Sequence, residues 1–108
     1  MASEVDAHDH GPDETIAVRD NAAADRYEAV RDGEVVGILL YERRRHRIDL
    51  LHMVTDPDHR GEGVASVLVR TVLAEARAIT LPVLVICPFI ESWLHRHPEQ
   101  AEGVMLDD

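Results

Sequence analysis

Arg60-Gly61-Glu62-Gly63-Val64-Ala65 is the segment of this chain best suited to holding an anionic ligand. It follows an apolar run, Ile48 to Val54, and a turn signal, Asp56-Pro57-Asp58, and opens a helix-patterned stretch from about Gly61 to Ile79. Glycines at a strand-to-helix junction let the main chain approach a ligand with no Cβ in the way. The first helical turn leaves N–H groups without intrahelical partners, and the helix dipole favours negative charge there. A diphosphate fits such a junction. Two other side chains bear on catalysis. Cys87 closes an apolar strand with a thiol that can act as an acid or, once ionised, as a nucleophile. His52 offers imidazole, the side chain that titrates nearest neutrality and a natural base toward an ammonium. Each also has a plain structural reading. A lone Cys ending an apolar strand is commonly a small core residue, and His52, in step with Ile48, Leu50 and Val54, reads as a core histidine bonded to the backbone.

Several other chemistries do not fit. A P-loop needs Gly-Lys-Ser/Thr after its glycines, and here Gly63 is followed by Val64-Ala65. A dinucleotide fingerprint places three glycines after the first strand of a parallel unit; here the turn follows the fourth strand and Ser66 stands at the third-glycine position. His8 and His10 can hold a metal only weakly, since no third and fourth ligand follow at suitable spacing, so no metal site is expected. Glu42 and Asp49 are alternative bases, and His95 and His97 read as surface or capping groups.

The elements that position these residues follow from periodicity. Residues 1–14 are polar and acidic without apolar period and read as a disordered leader. Thr15 to Arg19 and Arg26 to Arg31 read as the first two strands, and Asp32-Gly33 is a two-residue hairpin signal. Glu34 to Tyr41 is apolar on both faces and reads as a central third strand; Ile48 to Thr55 is the fourth. Val64, Leu68, Val72, Ala76 and Ile79 form one stripe of the helix that follows, which Leu81-Pro82 ends. Val83 to Ile86 is a buried fifth strand, and Phe89 to His97 a short last helix. The order β-β-β-β-α-β-α is an α+β fold: a mostly antiparallel five-stranded sheet whose strands four and five form a parallel pair through a right-handed crossover. One domain, residues 15–102, is expected, with 103–108 a tail.

Composition narrows the partners. The 108 residues carry a formal net charge of −10, a field that disfavours nucleic acid and anionic membrane. All 11 basic residues are Arg, so no lysine is present for the chain to acylate on itself. A single Cys excludes an internal disulfide and fits a reducing compartment. With no apolar run near the roughly 20 residues of a membrane span and an acidic start unlike a signal peptide, a cytoplasmic location is expected. A chain this short buries a modest core, so monomer and homodimer are both open.

A strand, a turn, Arg-Gly-x-Gly-x-Ala, a helix and a parallel strand together resemble the GNAT N-acetyltransferase superfamily. Its acetyl-CoA motif reads Gln/Arg-x-x-Gly-x-Gly/Ala; the window Asp58 to Gly63 carries its two glycines, with Asp58 where the motif has Gln or Arg. More narrowly, the chain looks like a small single-domain GNAT-like branch, through His52, Arg60 to Ala65, Ala76-Arg77, Cys87-Pro88-Phe89 and His97-Pro98-Glu99, over roughly Ala29 to Gln100. The resemblance implies a GNAT-like fold and acetyl-CoA as co-substrate for acetyl transfer to an amine, on a protein or a small molecule; a CoA-binding module without efficient catalysis is the alternative. It implies that the backbone amides of His59, Arg60, Gly61, Glu62, Gly63 and Val64, with Ala65 beyond, cradle the diphosphate, with Arg60 adding charge. Met53, Val54 and Thr55 would bond the pantetheine amides, Val54 N–H being the oxyanion donor, and Pro88 and Phe89 would flank the site. Many GNAT enzymes carry a Tyr on the helix after strand five. None stands there here, and Cys87 is the nearest replacement, with His52 as base. Only Asp20 to Asp25 separates the first two strands, where larger relatives have two helices walling the acceptor site; an open acceptor side is implied.

Overall fold

The computed structural model describes residues 16–59, 61 and 63–107. The leader with His8 and His10, the Thr15 start of the first strand, and Arg60 and Glu62 lie outside the described residues.

Strands β1 (Ala17–Asn21), β2 (Arg26–Arg31), β3 (Glu34–Arg43) and β4 (Ile48–Thr55) form an antiparallel meander. Helix α1 (Val64–Ala78) crosses over to β5 (Val83–Val85), which lies parallel to β4. Helix α2 (Pro88–Arg96) and a 3-10 turn (Pro98–Ala101) lead to β6 (Leu106–Asp107), parallel to β5. The sheet thus runs β1-β2-β3-β4-β5-β6, with six strands where five were expected. The extra one comes from the segment read as a tail. Two residues are too few to show an alternating pattern; tertiary bonds make the strand. Val83 N–H donates to the Met105 carbonyl at 2.8 Å, and Arg77 binds the carbonyls of Glu102 and Gln100 at 2.9 and 3.0 Å.

Local chemistry explains the joints. Asp32 and Gly33 take φ of 51° and 82°, the pair of left-handed residues that a type I′ hairpin requires. Helix α1 buries Val64, Leu68, Val69, Val72, Leu73 and Ala76 across β1 to β4. Ile79, expected to extend that stripe, is exposed, because the helix stops at Ala78 and Thr80 turns left-handed.

The decisive irregularity is in β4. Its pairing steps from Tyr41↔Leu50 to Leu40↔His52, which leaves Leu51 as a bulge residue. Side chains beyond a bulge change face. Ile48 and Leu50 are buried with the helices, but His52 and Val54 are exposed, while Met53 and Thr55 turn inward. His52 therefore does not share a face with Ile48 and Leu50, as strict alternation had it.

Two carboxylates are buried on the face away from α1. Glu28 accepts from Asn21 Nδ2 at 3.0 Å, Arg19 Nε at 2.7 Å and Arg26 Nε at 2.8 Å. Those bonds, Asn21 first and then the two arginines, draw its pKa from 4.5 to about 2. Asp49 accepts from Arg47 and Arg44, both at 2.7 Å. Burial works to raise the Asp49 pKa, and the two guanidinium bonds overcome it and hold it low. A carboxylate depressed by folding contributes stability above its unfolded pKa and loses it as pH falls through the folded one. The melting temperature is therefore expected to fall as the pH drops from 4.5 toward about 2. Glu28→Gln is expected to melt lower at neutral pH and to flatten that slope, with Asp49 supplying what remains. Melts from pH 7 to pH 2 check this; an unaltered slope in the variant would contradict it.

Candidate functional site

Past Leu50, β4 and β5 part. Their pairing covers Ile48 to Leu50 against Val83 to Val85, and the amides of Ile86 and Cys87 both then converge on the Leu50 carbonyl, at 2.9 and 3.1 Å. The Met53–Thr55 end of β4 therefore projects beyond its parallel neighbour. A strand end without a partner on one side can bond an extended ligand as another strand would.

Opposite this edge stands the opening turn of α1. Asp56 anchors its approach: Asp58 N–H donates to Asp56 Oδ1 at 3.0 Å and His59 N–H to the Asp56 carbonyl at 2.9 Å. Gly61 and Gly63 take φ of 80° and 83°, and Gly63 is the residue that caps the helix. No side chain fills that capping position. Val67 N–H bonds the Gly63 carbonyl at 3.0 Å, so the amides of Val64, Ala65 and Ser66 precede the helix's own ladder.

A third contact seats the turn. Gly37 on β3 lies beneath it, and a Cβ there would come within 2.5 Å of Val64 Cγ1. Glycine at this point lets the helix start press onto the sheet beside Thr55, which pairs with Gly37.

Between these walls is a cavity of about 540 Å³ lined by Met53, Thr55, His59, Gly61, Gly63, Val64, Ala65, Ser66 and Phe89. Eight of these nine were singled out from the sequence. Val54 and Pro88, also singled out, are exposed and do not line it; Val54 faces the opposite side of β4, and Pro88 is the first residue of α2. His52 is exposed and away from the lining. Cys87 caps α2 as a buried residue, between the Leu50 carbonyl and Phe89, and its side chain is likewise not part of the wall. His95 is exposed; His97 stacks on Trp93.

Ser66 is the lining residue that periodicity missed. Its hydroxyl accepts from Trp93 Nε1 at 2.9 Å. The signal available was its place in the first helical turn, directly after Arg-Gly-x-Gly-x-Ala.

No tyrosine lines the cavity among the described residues. Tyr27 and Tyr41 are committed elsewhere, donating to Glu75 at 2.7 Å and Asp20 at 2.6 Å. Burial, and then those acceptors, raise both phenols above their usual range. Among the described residues no group of three or more His, Cys, Asp or Glu is placed to hold a metal ion. No helix of the described residues is long and apolar enough to cross a membrane.

Comparison with curated proteins returns no match. Residues 26–103, well over half of the chain, match the family described as GCN5-related N-acetyl-transferase. The match runs from β2 to the approach to β6 and takes in the whole cavity wall. This chain belongs to the GCN5-related N-acetyl-transferase family.

Proposed function

We propose that the protein is an acetyl-CoA-dependent N-acetyltransferase acting on an amine of a protein or peptide. Family membership supports acyl transfer in general. The observation that carries the coenzyme reading is the cavity itself, where two left-handed glycines and the start of α1 face the end of β4 that has no partner on its β5 side. The phosphate groups would lie against the amides of Gly61 and Gly63 to Ser66, with those of Arg60 and Glu62 implied by the family motif. The pantetheine arm would run along Met53 to Thr55. Acetyl-CoA supplies the thioester carbon that the amine attacks; as the C–S bond breaks, the thiolate takes up a proton.

Cys87 is our assignment for that proton donor. It stands where β4 and β5 diverge and is followed closely by Phe89 on the cavity wall. His52, open to solvent on the bare face of β4, is the assigned base for an amine arriving from that side. Cys87→Ala is expected to slow turnover at least tenfold with CoA affinity kept. A wild-type rate in steady-state assays would return the thiol to the core.

A peptide acceptor fits the connection between β1 and β2, which is a single 3-10 turn, Ala22–Ala24, and raises no wall. A second reading, a CoA-binding module without efficient catalysis, is favoured by the burial of Cys87 and the lack of a tyrosine at the cavity among the described residues. Thiol release measured over peptides, polyamines and small amines separates the two. Turnover with peptides supports transfer; CoA binding with no turnover on any amine supports the module; turnover confined to small amines overturns the peptide assignment. We propose a cytoplasmic location, which the single Cys supports by fitting a reducing compartment.

A further inference from the structure

A second cavity, of about 390 Å³, opens on the flank of α2 away from Phe89, next to the sheet edge formed by β6. Val85 of β5, Leu94 of α2 and Leu106 of β6 give it apolar walls. Its polar groups are Glu91, His95 and Asp107, and no arginine lines it. Helix α2 separates it from the cavity between β4 and α1, which α2 reaches through Phe89. Docking at the second cavity therefore does not depend on what the first one holds.

The neighbouring edge has main-chain groups to offer. Leu106 pairs with Val83, and Val83 N–H donates to the Met105 carbonyl at 2.8 Å. Along a strand, the N–H and C=O of successive residues point alternately to one side and the other. Met105 thus turns its carbonyl toward β5, and Leu106 turns its N–H and C=O outward. Strand β6 is the last of the described sheet, and Leu106 is half exposed. An extended peptide can bond such an edge as a further strand. Directly paired residues place their side chains on the same face. Leu106 lines the cavity, so a peptide residue paired with it sends its own side chain toward the cavity.

We propose that β6 and this cavity dock an extended, basic segment of a partner protein. A lysine paired with Leu106 lays its aliphatic stem along Val85, Leu94 and Leu106 and brings its ammonium to Glu91 and Asp107. Charge selects this occupant. The lining offers two carboxylates and no guanidinium, on a chain whose net charge is −10. Apolar walls with an acidic rim suit a side chain that buries its methylenes and keeps its charged head in water. Asp107 already lies 3.6 Å from Arg47, so Glu91 carries more of the charge recognition. A second copy of this chain suits the site less. It has no lysine, and pairing edge to edge would bring Glu91 and Asp107 of both copies together.

Fluorescence anisotropy on the full chain, without coenzyme, tests this. The probes are labelled Thr-Val-Lys-Val-Thr, blocked at both ends, and the same peptide with norleucine or glutamate in place of lysine. The lysine peptide is expected to bind saturably, the norleucine peptide about tenfold more weakly, and the glutamate peptide more weakly still. Glu91→Gln is expected to weaken the lysine peptide about fivefold and to leave the norleucine peptide within twofold of wild type. Leu106→Pro removes the outward N–H, on the side of an edge strand where proline is tolerated. It is expected to bind the lysine peptide about fivefold more weakly than Leu106→Ala, which keeps that N–H. Equal affinity for the lysine and norleucine peptides would overturn the proposal, as would no binding by the wild-type chain. Sedimentation showing a dimer that Leu106→Pro disperses would overturn it too, by placing a second copy on the edge.

Discussion

Gly61→Asp is expected to weaken CoA binding at least a hundredfold while the chain still folds. Gly61 has φ of 80° and open space where a Cβ would stand, so the substitution meets no steric clash. A left-handed backbone costs an L-residue roughly 1–2 kcal/mol, and Asp is among those that bear it best. A modest drop in melting temperature follows. Charge accounts for the larger effect. A carboxylate about 5 Å from a phosphate repels it by about 3 kcal/mol at an effective dielectric constant near 20. With about 1.4 kcal/mol per factor of ten, that exceeds a hundredfold. Gly61→Asn has nearly the same shape without the charge and is expected to lose far less. Calorimetry on the two variants checks the difference; wild-type affinity in the Asp variant would contradict the position assigned to the diphosphate.

Gly37→Ala is expected to damage both the fold and the cavity, although Gly37 touches no ligand in this account. The added Cβ would stand 2.5 Å from Val64 Cγ1, 3.3 Å from the Val54 carbonyl and 3.4 Å from Leu68 Cδ1. The first contact is too short to exist. Val64 is buried and short, so it cannot fold out of the way; the start of α1 must lift from the sheet. Overpacking of this kind costs about 1–3 kcal/mol. For a domain of this size each kcal/mol corresponds to roughly 4–8 °C in melting temperature. The lifted helix also carries away the amides of Val64 to Ser66, so CoA affinity should drop at least tenfold. Val64→Ala removes the clashing methyl. The double variant is therefore expected to be more stable than the sum of the two single losses implies, and to regain part of the affinity. Simple additivity in thermal melts would show that the contact is not the cause.

Much of this architecture could be read from local chemistry. The bounds of β2 and β4 match, the Asp32-Gly33 hairpin has both residues left-handed, and the glycine turn stands between β4 and α1 as its flanking patterns required. These features are encoded within a few neighbouring residues. The features missed depend on distant ones. The bulge at Leu51 leaves the apolar sequence Ile48 to Val54 looking regular, yet it moves His52 and Val54 out and brings Met53 and Thr55 to the cavity. Strand β6 is made by Val83 and Arg77, far from it in sequence. Asp49, read as an alternative base, is instead buried and paired with Arg44 and Arg47, and the sheet likewise gathers Arg19 and Arg26 around the buried Glu28. Ser66 meets Trp93, 27 residues away in sequence, only because the fold brings α2 against α1.

The central claim is that main-chain amides at the start of α1 hold the diphosphate of the coenzyme. Amide-resolved nuclear magnetic resonance during titration with CoA measures this directly. The account predicts large, saturable shifts at Gly61 and at Gly63 to Ser66, with smaller ones at Met53 to Thr55, and almost none along β1. Saturable binding that left the Gly61 to Ser66 signals in place would contradict it.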